Sequence, residues 1–516
     1  ISRTMKIKKK KLPIKKQKNL IKLFQSKKYM EAEKLAKKIN ENYPDNFFSL
    51  KILGAIFNQT DRLSDAIEVS QKALKLNPND SEVYNNLGAT FQKQKLFHEA
   101  EDNYKKALLI NPNYTEAYNN LGNTFKELGK IDDSIKCYKK AIKLKPDFAE
   151  AHNNISQLLL DLGKIEEAEL HSKKAIELSP SFSSPYVNLG NVFYKKGKLY
   201  EAELNYKKAI SLQPNFVEAY NNLGNALTGQ AKLKEAEGFY KKALEIYPSF
   251  LDSFWNLSSL AKTVIDAENY LDKFLEVDKD TKKEIVQKVI FMKAALKFYQ
   301  GEKNFYNDLM LSDFKNHSYL RSFKWVFELD NLPKLYLNRW QFFDAIIEKS
   351  IKSRPFYEFG VWRASSFKYL IETYKIGYGF DTFSGLPEDW QTGKNVEEAG
   401  SYSSDGIIPD IDGGEFIVGE FQDSLPKFFS KKQPLASVIN FDADLYSSTI
   451  CALNFSKSII DKDTILIFDE FIMNENWEQD EFKALNEFCY NNKYTYNVLA
   501  VSFFSKQVAV KLIQDC

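Results

Sequence analysis

Asp442, Asp444, Asp469 and Glu470 are the residues whose types and spacing most plainly permit joint chemistry. Asp442 and Asp444 follow the apolar, β-prone run Val438-Ile439-Asn440-Phe441, and small hydroxyl residues come after them at Ser447, Ser448 and Thr449. Asp469 and Glu470 follow a second such run, Ile465-Leu466-Ile467-Phe468. Runs of this kind read as buried parallel strands, and an open α/β sheet gathers its functional residues at the carboxyl ends of its strands. Two adjacent strand ends would bring the four acids to one point. All-oxygen donors at one point select a hard divalent cation such as Mg2+.

The elements that must position these acids lie after Pro333, where strand and helix patterns alternate. Helices are expected over 335–352, 365–373 and 479–491. Strands are expected over 356–361, 376–380, 416–418, 437–441 and 464–468, with a closing antiparallel pair over 494–501 and 507–512. This alternation predicts an α/β, Rossmann-like domain over 334–516 with a mainly parallel sheet. A G-x-G-x-x-G fingerprint is absent, which argues against nicotinamide cofactors. The strand tips suit a nucleoside-type ligand instead. The first ends at Glu358 and Gly360, with Ser365 placed to cap the next helix. The second ends at Asp381, whose carboxylate could accept both ribose hydroxyls. The third leads into Gly419, Glu420, Phe421 and Asp423, suited to an adenine pocket. No histidine follows His317, so any general base here must be a carboxylate.

Longer motifs run through the same region: Glu358 to Arg363 (E-F-G-V-W-R), Gly379 to Trp390, Gly419 to Pro426, Asp442 to Thr449, Phe468 to Phe471, Trp477 to Ala484 and Gln507 to Lys511. Together they resemble the macrocin O-methyltransferase family, a metal-dependent group of class I enzymes that use S-adenosylmethionine (SAM). Seven strands with a reversed last one suit that class. The resemblance implies that Glu358, Gly360, Asp381 and Asp423 contact SAM, and that Asp442, Asp469 and Glu470 hold Mg2+ or a similar cation. It leaves Asp444 as a supporting residue or base. It also implies a sugar or glycan hydroxyl as methyl acceptor. One departure is Ala364-Ser365, where the family usually has Gly-Gly. The acidic stretch 388–415, with Trp390 and Tyr402, is expected to be a substrate lid.

Ahead of this domain the sequence is periodic. Prolines at 44, 78, 112, 146, 180, 214 and 248 are each 34 residues apart. Glycine recurs in the same register at 54, 88, 122, 190 and 224, with Ser156 standing in once, and alanine recurs at 73, 107, 141, 175, 209 and 243. The period resembles the tetratricopeptide repeat, a helix–turn–helix unit that stacks into an all-α solenoid. About eight units are expected over 13–284, with degenerate ends, then a helical connector over 285–333 and a basic tail over 1–12. Asparagines recur at Asn86, Asn120, Asn154, Asn188, Asn222 and Asn256. Asparagine is a mediocre helix former, so local stability does not explain six in register. The row resembles the asparagine ladder of the O-GlcNAc transferase repeats, which holds extended polypeptide. That implies a protein or peptide partner in the repeat groove. The plainer reading is that these amides join neighbouring repeats.

Composition limits the rest. The chain has 44% hydrophobic and 27% charged residues, as in an ordinary globular protein. Residues 334–516 hold 18 Lys and Arg against 27 Asp and Glu, so the chain's surplus of positive charge lies ahead of them. No nucleic-acid partner, membrane span or secretory leader is expected, and four scattered cysteines fit a reduced cytoplasmic setting. The reading is a SAM-dependent O-methyltransferase with a repeat solenoid that binds its partner or acceptor. The alternative is an interaction scaffold with an inert methyltransferase-like domain.

Overall fold

The computed structural model describes residues 12–391, 396–397, 399–404, 406–443 and 445–514. Asp444 and the basic tail up to residue 11 lie outside the described residues. The chain divides into two compact units, Ile1–Val192 and Phe193–Cys516.

The first unit is built of helix pairs. Ile14–Gln25 pairs with Tyr29–Asn42, Phe47–Gln59 with Leu63–Leu76, Ser81–Lys93 with Phe97–Ile110, Thr115–Glu127 with Ile131–Leu144, and Ala149–Asp161 with Ile165–Leu178. Each repeated proline stands two residues past the second helix of its pair, as Pro146 does after Leu144, because proline cannot extend a helix. The repeated glycines are where the paired helices touch. A Cβ on Gly88 would lie 2.8 Å from the Tyr104 ring, and one on Gly122 would lie 2.6 Å from Tyr138. Where Ser156 replaces the glycine, Ser172 replaces the tyrosine, and their hydroxyls meet at 2.6 Å. The smaller Ser172 leaves room for the Ser156 side chain, and the bond between them joins the two helices at the crossing.

The second unit continues the pattern through Leu199–Leu212, Val217–Gly229, Leu233–Ile246, Leu251–Leu260 and Val264–Val277. Glu284–Tyr299, Asn304–Met310 and Ser318–Phe327 follow. These last three, expected as a connector, share one core with the sheet behind them. The Phe298 and Phe327 rings stack at 3.6 Å, and Phe323 lies 4.7 Å from Phe503. Arg321 Nε donates to Glu478 Oε1 at 2.7 Å.

The sheet has eight strands: β1 (Lys334–Leu335), β2 (Phe356–Phe359), β3 (Gly377–Asp381), β4 (Gly414–Val418), β5 (Val438–Phe441), β6 (Ile465–Phe468), β7 (Tyr494–Ser502) and β8 (Gln507–Gln514). Their order is β1-β7-β8-β6-β5-β2-β3-β4. Only β8 runs against its neighbours, pairing antiparallel with β6 and β7. The reversed last strand is as expected. The eighth, β1, adds to an edge beside β7 and is only two residues long. The helix expected over 335–352 is shorter, Arg339–Lys349, because the Asn338 side chain caps it by accepting from Gln341 N at 3.0 Å. The order reverses at β2, whose chain neighbour β3 lies on one side and β5 on the other, which is the switch point where α/β sheets bind ligands. No described helix is long and apolar enough to cross a membrane.

Candidate functional site

One row of phenylalanines locates the site. Phe359, Phe380, Phe441 and Phe468 end or nearly end β2, β3, β5 and β6, and all four are fully buried. Phe359 stacks on Phe380 at 4.7 Å and on Phe441 at 5.4 Å, and Phe441 stacks on Phe468 at 4.9 Å. The residue after each ring is Gly360, Asp381, Asp442 or Asp469, and all four line one cavity of about 520 Å³. That volume is in the range of small-molecule sites, about 300–1,000 Å³. Trp362, Ser365, Glu388, Trp390, Tyr402 and Glu420 are among its other walls.

Asp381 lines the cavity and also fixes the backbone beside it. Its Oδ2 accepts from the amides of Val361 and Trp362, each at 2.7 Å, and its Oδ1 accepts from Phe383 N at 2.6 Å. Three of about four acceptor positions on the carboxylate are therefore filled. Asp381 thus holds the loop after β2. Gly360, with φ +87°, lets that loop pass the β5 end: a Cβ there would lie 1.8 Å from the Asp442 carbonyl oxygen. Ala364 has φ +60°, a conformation that glycine adopts at little cost, which accounts for glycine in the resembling motif. Ser365 lines the cavity but is the first helical residue, so it does not cap; Ala364 occupies the cap position with no side-chain bond. Asp423 is corrected. It lies exposed on helix Phe421–Phe429, and the cavity wall there is Glu420, Phe421 and Gln422. Helical phase turns Asp423 away.

The acids meet cations of the chain. Asp469 is buried; its Oδ2 pairs with Arg339 Nη2 and its Oδ1 accepts from Gln507 Nε2 at 2.6 Å. Glu470 Oε2 pairs with Lys506 Nζ at 2.8 Å. Burial works against the charge on Arg339, but Asp469, then Asp442 and Glu470, outweigh it and raise its pKa above the usual guanidinium range. Among the described residues no three His, Cys, Asp or Glu side chains are arranged to hold an ion. With both Asp469 oxygens engaged, the expected trio of Asp442, Asp469 and Glu470 does not fit a divalent cation as it stands. Arg339, Lys506 and Gln507 were not assigned roles from sequence. Arg339 lies 130 residues from its partner, and only the quoted Gln507 motif hinted at any of them.

Glu358 is buried within β2 and is not among the residues lining the cavity, and its Oε2 has no hydrogen-bond partner among the described residues. Burial raises its pKa well above the ordinary carboxyl range. The folded chain then binds a proton that the unfolded chain releases above about pH 4.3. Stability from this group is present below that pH and is lost as pH rises through the folded-state value. Glu358→Gln is therefore expected to gain in urea midpoint relative to wild type as pH rises from about 5 to about 8. A difference that stays constant with pH would contradict the assignment.

The stretch expected as a lid is tied down by hydrogen bonds where it is described. Leu386 N donates to Ser401 O at 2.8 Å and Gly400 N to Leu386 O at 2.9 Å, while Ser447 Oγ donates to Glu388 Oε1 at 2.5 Å. Residues 392–395, 398 and 405 of the stretch lie outside the described residues.

In the repeats, the asparagine register has a structural cause. Asn120 Nδ2 donates to Asn85 Oδ1 at 3.2 Å, Asn154 to Asn119 at 3.0 Å, Asn188 to Asn153 at 3.0 Å and Asn256 to Asn221 at 3.0 Å. Each bond joins one repeat to the one before it. Asn86 and Asn222 hold the same helix position. Asn188 Nδ2 also donates to Asn153 O at 3.1 Å and Asn256 Nδ2 to Asn225 Oδ1 at 3.0 Å, which engages both hydrogens of each of these two amides.

Comparison with known proteins concerns the repeats. Models described as "TPR repeat" match 54–95, 122–163 and 190–230. Models described as "Tetratricopeptide repeat" match 81–114, 217–250, 103–136 and 149–182. No curated protein matches the chain. Among solved structures, MamA is 31% identical over 31% of this chain and 95% of its own, with a TM-score of 0.28. TTC0263, a thermophilic TPR protein of Thermus thermophilus, is 24% identical over 36% of this chain and all of its own, with a TM-score of 0.32. The APC/C hetero-tetramer Cut9-Hcn1 is 16% identical over 52% of this chain, with a TM-score of 0.45, and the chain spans about half (54%) of that one. The segments matched between 54 and 250 establish that this chain carries tetratricopeptide repeats, which are protein-interaction modules.

Proposed function

We propose that the chain is a SAM-dependent O-methyltransferase acting on a sugar or glycan hydroxyl, with its repeats binding the protein or peptide that carries or accompanies the acceptor. The observation that carries this reading is that Gly360, Asp381, Asp442 and Asp469, each directly after a stacked phenylalanine, line one cavity of ligand size. The strand order, with its reversed last strand, supports it. The fit to SAM rests on the acidic lining, which favours a sulfonium.

SAM supplies an electrophilic methyl group. The chain's own residues do the remainder. Asp381 fixes the loop at Val361 and Trp362, and Trp390 and Tyr402 wall the cavity against water. A carboxylate takes the proton of the acceptor hydroxyl, and of those lining the cavity Asp442 is given this part. Asp444, expected as a base, lies outside the described residues. No step is assigned to Mg2+, given the engaged oxygens of Asp469. The scaffold reading is favoured by those same internal ties of Asp381 and Asp469.

Calorimetry separates the two readings. Wild type is expected to bind one SAM, and Asp442→Ala to bind it about ten-fold more weakly, a loss of about 1.4 kcal/mol. The same pair tested with labelled SAM on fractionated glycans would identify the acceptor. No heat of SAM binding, and no transfer, would leave the scaffold.

A further inference from the structure

In seven of the eight helix pairs the turn between the helices passes through a left-handed residue: Lys27, Asp61, Lys95, Gly129, Gly163, Gly197 and Ala231, with φ between 55° and 73°. Four of the seven are not glycine, so the fold accepts a side chain there. Around Gly129 and Gly163 a Cβ would meet nothing within 4 Å. Gly197 differs. A Cβ there would lie 2.6 Å from Arg363 Cγ and 2.8 Å from the Trp362 ring, and Arg363 Nε donates to Lys196 O at 2.7 Å. On its other side Trp362 meets Tyr402 edge-on at 5.8 Å and donates from Nε1 to Ser403 O at 3.4 Å. Trp362 itself has φ +45°, which is strained for a bulky residue and persists only where the surroundings over-determine it.

We propose that the repeat turn Lys196–Gly197 is a positioning element of the cavity: it holds Trp362 and Arg363, and so keeps the loop after β2 in its left-handed course over the ligand site. The repeats thereby contribute to cofactor binding as well as to partner binding. Trp362 touches the cavity, whereas Gly197 and Lys196 act through it. The ligand class rests on the methyltransferase reading, but the positioning does not.

The test is a matched pair in the full chain, Gly163→Ala and Gly197→Ala. Both add the same methyl at the same backbone conformation, one into open space and one into the loop. Without ligand, amide exchange at Val361 and Trp362 is expected to be unchanged in Gly163→Ala and about ten-fold faster in Gly197→Ala. SAM affinity is expected to fall about ten-fold in Gly197→Ala alone. Equal exchange in the two variants would overturn the proposal. Faster exchange in Gly197→Ala with no SAM binding by wild type would support the positioning and end the methyltransferase reading. If Gly197→Ala does not fold while Gly163→Ala does, Arg363→Met, which keeps the stem and removes the bond to Lys196 O, gives the same readout.

Discussion

Asp469→Leu is expected to destabilise the second unit by about 3–5 kcal/mol, because it leaves the Arg339 guanidinium without its buried partner. Asp469 sits at the end of β6 with a side chain 8% exposed, and its two oxygens are bound to Arg339 and Gln507. Removing the acid strands a cation as well as an amide. Arg339→Met should cost less, since its side chain is 31% exposed and opens on the cavity. The double variant is expected to be more stable than the sum of the two single losses by about 1–3 kcal/mol, because neither charge is then left alone. Urea titrations of the four proteins measure this. Additive losses would mean that the pair is not coupled, and that Asp469 could turn to another cation.

Gly360→Ala should be nearly as severe, costing about 3 kcal/mol or more from backbone strain and overpacking together. The methyl would fall 1.8 Å from the Asp442 carbonyl oxygen and 2.6 Å from its carbon. Relief requires the ends of β2 and β5 to separate, against the bond from Asp442 N to Phe359 O at 2.8 Å. Gly129→Ala is the control. Its φ is +70° with open space around it, so about 1 kcal/mol is expected there. Thermal unfolding of the two variants compares them directly, and equal shifts would refute the close approach.

The strands were legible because their cores are continuous apolar runs bounded by acids, such as Val438–Phe441 before Asp442. Their order followed from strand–helix alternation. β1 was not legible, since two residues carry no period. The start of helix Arg339–Lys349 was misjudged because one side chain, Asn338, sets it. The site was half legible. Residues at strand ends were found, as chain order alone brings them together. Arg339 and Lys506 were not, because an ion pair between distant segments leaves no local pattern. Asp423 failed for the opposite reason: it lies near the right strand end, but helical phase decides where it faces. The asparagine register was visible, while its partners, thirty-five residues back, were visible only in three dimensions.

The stacked phenylalanines act as a ruler. A strand that slipped by one residue would send its ring to the other face of the sheet, and its acid would move with it. The single-residue step from ring to Gly360, Asp381, Asp442 or Asp469 therefore sets the height of every cavity group against one common plane. Chain length can change in the 388–415 stretch, or in the loops leading to the strands, without disturbing that plane. One residue added between ring and acid would displace one group while the other three stayed in place.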